Sequence, residues 1–110
     1  MTIPLTTLKE VLIEGKCQDL VVLPTAKQSG GLFTHIIITT ASSARHAMAL
    51  ANRVLKAQKS AGKKKSNIEA SEEREWVLID CDDVIVHIMQ QEARERYRLE
   101  NLWAFEDRSN

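Results

Sequence analysis

The stretch Glu75-Trp76-Val77-Leu78-Ile79-Asp80-Cys81-Asp82-Asp83-Val84-Ile85-Val86-His87-Ile88-Met89 constrains the fold more than any other part of the chain. Two β-branched apolar runs flank a short polar centre, which is the signature of a β-hairpin. With Cys81-Asp82 as the two central residues and Asp82 in the positive-φ conformation that a primed turn needs, Trp76 is expected opposite His87 and Leu78 opposite Ile85. Val77 and Ile79 would then meet Val86 and Val84 on the other face. A hairpin alone is marginal in water, so the rest of the chain must cover at least one of these faces.

The remaining elements suit that task. Apolar Leu8, Val11 and Leu12 recur at helical spacing from Thr6 to Lys16, with Thr6 or Thr7 as the cap and Gly15 as a left-handed stop. Asp19-Leu20-Val21-Val22-Leu23 reads as a strand closed by Pro24, followed by a loop over 26–31. The run Thr34-His35-Ile36-Ile37-Ile38-Thr39-Thr40 has no polar alternation and predicts an interior strand buried on both faces. Ser42 or Ser43 can cap a long helix carrying Ala44, Ala47, Met48, Ala51, Val54 and Leu55. Lys63-Lys64-Lys65 and the acidic run Glu69, Glu72, Glu73, Glu75 read as an exposed loop, with Ile68 anchoring a short strand. Gln91 to Trp103 predicts a last helix, with Glu92 to Arg96 and Arg96 to Glu100 as charge pairs and Ala93, Tyr97, Leu99, Leu102 and Trp103 as its burial candidates. Together these predict one small α/β domain over residues 1–110, a mixed β-sheet with flanking helices, and 104–110 as a flexible tail.

Composition narrows the function classes. At 110 residues the chain is one domain, and 15 Lys+Arg against 15 Asp+Glu give a net charge of zero. Charge-driven binding must therefore come from local patches. Cys17 and Cys81 have no Cys-x-x-Cys or zinc spacing and read as reduced thiols. With no leader pattern and no apolar run of membrane length, the cytoplasm is the expected compartment. His35, His46 and His87 fall on different elements, so no metal site and no cofactor is expected.

Asp80, Asp82 and Asp83 admit a two-metal nucleotidyltransferase reading, but no glycine-serine helix start supplies a phosphate cradle, and a polar hairpin turn explains them as well. Arg45 and His46 in the first turn of the long helix could face an anion, although ordinary capping accounts for that sequence too. Lys63 to Lys65 with Arg45 could touch RNA phosphate. The hairpin face with Trp76, Leu78, Ile85, His87 and Met89, bordered by Glu75 and Asp80, suits a basic protein partner. Periodicity alone leaves open whether the last helix covers that face.

Trp76-Val-Leu-Ile-Asp80-Cys-Asp-Asp83-Val-Ile-Val-His87-Ile-Met, followed by Glu92, Arg94, Tyr97, Leu99-Glu100 and Leu102-Trp103, resembles the C-terminal signature of the ribosomal silencing factor (Iojap-like) family. Ser42-Ser43-Ala-Arg45-His46 is similar to that family's helix start, and Asp19-Leu-Val-Val-Leu to its first strand. The resemblance implies a homodimeric α/β domain of nucleotidyltransferase-like topology without catalysis. It also implies binding to large-subunit ribosomal protein fourteen, a basic protein, which blocks joining of the small subunit and silences translation when nutrients are scarce. Peripheral contact with ribosomal RNA and a link to ribosome biogenesis accompany that expectation. The family's functional Trp and Asp fall on Trp76 and Asp80, which tips the hairpin face towards an exposed partner surface. The chain departs from the family pattern at Thr34-His35 and the loop before it, at Ala70, and at Asp82 in place of a turn glycine.

Overall fold

A computed structural model describes residues 3–25, 30–31, 34–62 and 67–98. Five strands form one mixed sheet: β1 (Gln18–Pro24), β2 (His35–Ala41), β3 (Asn67–Ala70), β4 (Trp76–Cys81) and β5 (Val84–Gln90). Their order is β1-β2-β5-β4-β3, with β2 and β5 parallel and the other neighbours antiparallel. Helices α1 (Leu5–Glu14) and α2 (Ala44–Ser60) cover one face, and α3 (Gln91–Tyr97) covers part of the other.

The three isoleucines of β2 show why an unbroken apolar run belongs inside this sheet. Ile37 packs beneath α1 and α2, while Ile36 and Ile38 join Met89 and Ala93 under α3, and all three isoleucines are fully buried. Polar alternation on this strand would put a side chain without a partner into one core or the other. In β4 the alternation is retained: Val77, Ile79 and Cys81 are buried on the α1/α2 side, and Trp76, Leu78 and Asp80 are half-buried on the other.

The hairpin turns one residue later than the spacing predicts. Asp82 and Asp83 are the central pair, Cys81 faces Val84, Trp76 faces Met89, and Leu78 faces His87. Asp82 does adopt a positive φ of 66°, and its N–H donates to Asp80 Oδ1 at 2.9 Å. Closing on Cys81 and Val84 buries both side chains in the main core, whereas a turn at Cys81 would lift an apolar side chain into water. Because the pairing slips by two residues, each side chain keeps its expected face. Thr34 ties the base of β2 to this turn, since its N–H and its hydroxyl both donate to the Asp83 carbonyl at 2.7 and 3.1 Å.

Two helix boundaries also differ from expectation. Helix α1 starts at Leu5 after Pro4, with no side-chain cap from Thr6 or Thr7. Its left-handed residue is Lys16, with φ 68°, whereas Gly15 has φ −80°. Glycine is needed at position 15 for space: a Cβ there would lie 2.6 Å from Leu50 Cδ2 and 2.9 Å from Arg53 Cδ. Leu50 is fully buried and cannot swing away. Gly15→Ala should therefore cost about 1–3 kcal/mol by overpacking the α1/α2 contact, read as a lower midpoint in chemical denaturation with an unchanged slope. Leu50 itself lies outside the predicted stripe of α2, although it follows Ala47 at helical spacing.

At the other end, α3 closes at Tyr97, with Arg98 left-handed at φ 47°. The expected continuation to Trp103, its pair with Glu100 and the tail at 104–110 lie outside the described residues, as do Lys63, Lys64 and Lys65. Within α3, Arg96 approaches Glu75 at 3.6 Å. The short strand around Ile68 is present as the edge strand β3, exposed at all four positions.

Candidate functional site

The hairpin brings its expected side chains to one face but at very different depths. Trp76, Leu78, Asp80, Ile85 and Glu75 are half-buried, whereas Met89 is fully buried and His87 is 8% exposed. Met89 and His87 therefore support the surface from below and do not form it: α3 lays Ala93 over Met89, so the last helix covers one end of the face and leaves the other end open.

Trp76 is braced on two sides. Its Nε1–H donates to His87 Nδ1 at 3.0 Å, and its ring lies 4.7 Å from that of Tyr97 in a tilted pair. The indole needs a partner for its single donor once it is half-buried, and the imidazole supplies it. Accepting at Nδ1 requires a ring whose proton sits on Nε2. Burial pushes His87 down from its ordinary 6.5 to about 4, because a charged imidazolium would lose its hydration there.

Strand β3 supplies what the hairpin pattern could not reveal. It pairs antiparallel with β4, setting Glu69 opposite Leu78 and Asn67 opposite Asp80. Two adjoining open hollows result. One of about 260 Å³ is lined by Glu69, Ala70, Ser71, Trp76 and Leu78. The other, of about 460 Å³, is lined by Asn67, Ile68, Glu69, Leu78 and Asp80. The outcome is a shallow apolar groove floored by Trp76 and Leu78 with carboxylates from Glu69 and Asp80 along its margin. Glu69 and Tyr97 were missed as site residues because each depends on a neighbour set by the sheet or by the path of α3, not by local spacing.

The competing chemistry finds a different arrangement. Among the described residues no group of three or more His, Cys, Asp or Glu is placed to hold a metal ion. Asp80 Oδ1 is engaged with the Asp82 N–H in bracing the turn. At the start of α2, Ser43 caps by accepting from the His46 N–H at 3.0 Å. The His46 ring is built into the fold: Nε2 donates to the Gly15 carbonyl at 2.8 Å, and Nδ1 accepts from the Ser42 N–H at 2.9 Å. His46 therefore pins the end of α1 to the start of α2 and is not directed at an anion. Among the described residues no helix is long and apolar enough to cross a membrane.

The profile of the family described as "Ribosomal silencing factor during starvation" matches residues 3–110. The chain belongs to the ribosomal silencing factor family. A ribosomal silencing factor of Chromobacterium violaceum is 40% identical over 94 residues, covering 86% of this chain and 76% of the relative. One from Haemophilus influenzae is 40% identical over 70 residues, covering 64% of this chain and 69% of the relative. A crystal structure of a Chromobacterium violaceum protein superposes with a TM-score of 0.77 at 34% identity, covering 93% of this chain and 88% of that one. Within this silencing factor fold, the open groove lies on the sheet face away from α1 and α2, and α3 sets its limit.

Proposed function

We propose that this silencing factor is a non-enzymatic translation repressor that docks through the Trp76–Leu78 groove on the large ribosomal subunit. Its partner there is the basic large-subunit ribosomal protein fourteen, and docking sterically blocks the small subunit. The chain would act in the cytoplasm, as a homodimer. The observation carrying this reading is the apolar floor of Trp76 and Leu78 with Glu69 and Asp80 on its rim. Such a surface suits a partner that presents an apolar side chain flanked by Lys or Arg. Burial of the apolar floor supplies most of the affinity, since an exposed ion pair adds only about 0–1 kcal/mol. A metal-dependent nucleotidyltransferase using Asp80 and Asp82 is the alternative, and a nucleotide titration with Mg²⁺ that releases heat would favour it.

The test is co-sedimentation with purified large and small subunits. Trp76→Glu is a poor sole probe, because Trp76 also holds His87 and Tyr97. Leu78→Ser combined with Glu69→Gln changes the groove and spares that brace. The native protein should travel with the large subunit alone and prevent its pairing with the small one. The double variant, with native-like circular dichroism, should lose about tenfold in affinity, which corresponds to about 1.4 kcal/mol. Native protein remaining at the top of the gradient, or a folded double variant binding as tightly as native, would overturn the reading.

A further inference from the structure

The neutral net charge conceals one helix whose charges are all of one sign. Helix α2 carries Arg45, Arg53, Lys56 and Lys59 and has no Asp or Glu in its 17 residues. Carboxylates sit on other elements: exposed Glu10 and Glu14 on neighbouring α1, and Glu69, Glu72, Glu73, Glu75 and Asp80 on β3, β4 and the turn between them. Buried Ala47, Leu50, Ala51, Val54 and Gln58 face the sheet, so all four cations point to solvent and are exposed. At 3.6 residues and 5.4 Å per turn they fall within about 120° of arc and span about 21 Å of helix. Among the described residues none of the four is ion-paired with a carboxylate.

We infer that the solvent face of α2 is a binding surface for an RNA phosphate backbone, with Arg45, Arg53, Lys56 and Lys59 as its contacts. Charge complementarity identifies the occupant. Between the cations the helix presents only Ala49 and Asn52, which are exposed, so it offers no large apolar anchor for a protein partner. The apolar side of α2 is already spent on the core, so it cannot enter a lipid surface. Phosphates need only cations at suitable spacing, and a row of this length can reach several along one strand. The groove under Trp76 lies across the sheet from α2, so the two surfaces can be occupied together and fail separately.

Fluorescence anisotropy of a labelled, unstructured twenty-nucleotide polyuridine RNA with the full chain tests this. If four phosphates are neutralised, affinity should fall about fiftyfold between 50 and 200 mM salt. Arg53→Gln with Lys56→Gln should weaken binding at 50 mM and reduce that salt dependence to about sevenfold. Leu78→Ser with Glu69→Gln should bind this RNA as native does, which separates failure of this contact from failure of ribosome docking through the groove. No binding at 50 mM, or an α2 variant indistinguishable from native, would overturn the inference. So would loss of binding on replacing Lys63, Lys64 and Lys65 by Gln while the α2 variant binds normally.

Discussion

Lowering the pH from 7 to 4 should remove about 3 kcal/mol of folding stability through His87 alone. The imidazole is nearly buried beneath Trp76, and its pKa falls from 6.5 in the unfolded chain to about 4 in the folded one. Between those values the unfolded state binds the proton that the folded state refuses, so stability is full above about 6.5 and declines as the pH drops towards 4. Geometry points the same way: a proton on Nδ1 would confront the Trp76 Nε1–H that it now accepts. Urea denaturation across this range, native against His87→Phe, checks it. The difference in slope against pH should vanish in the variant, while an unchanged slope would show that His87 charges freely in the fold. In the folded protein His87 charges only near pH 4, so groove-dependent binding should weaken only as the pH approaches that value.

Arg94→Met should cost about 3 kcal/mol, because two charge-assisted hydrogen bonds are lost and their acceptors stay in place. The guanidinium is 8% exposed and donates through Nη1 to the Asp19 carbonyl at 2.6 Å and to Thr40 Oγ1 at 2.8 Å. It fastens α3 to β1 and β2 at once, and so holds the cover over Met89, Ile36 and Ile38. Methionine can fill most of the volume but satisfies neither acceptor. Equilibrium unfolding should show the loss. Amide hydrogen exchange should become faster along α3 than in the native protein while α2 is little changed, and unchanged protection of α3 would mean that contacts other than those of Arg94 hold it.

Much of this architecture was legible because local rules and burial agree. The isoleucine run of β2, the alternation of β4 and the alanine stripe of α2 each carry their period openly. The faces of the hairpin were also legible, since any even slip in pairing leaves them unchanged. The turn position was not: Cys81-Asp82 and Asp82-Asp83 are both polar enough locally, and the gain from burying Cys81 and Val84 exists only once α1 and α2 are in place.

The candidate site divides in the same way. Trp76, Leu78 and Asp80 share a face by strand period, and the sequence alone placed them together. Whether that face was covered depended on α3, which ends at Tyr97 and shields Met89 while leaving Leu78 half-open. Local spacing gives Arg94 no assigned place, and its buried role emerges only when acceptors 75 and 54 positions away meet it. Glu69 entered the groove because β3 pairs with β4 at the sheet edge. The sequence determined which residues are apolar and with what period, because those are local properties of the chain. The tertiary structure alone decided which of the two faces stayed open and which charges gathered at its rim, because both depend on contacts between elements far apart in sequence.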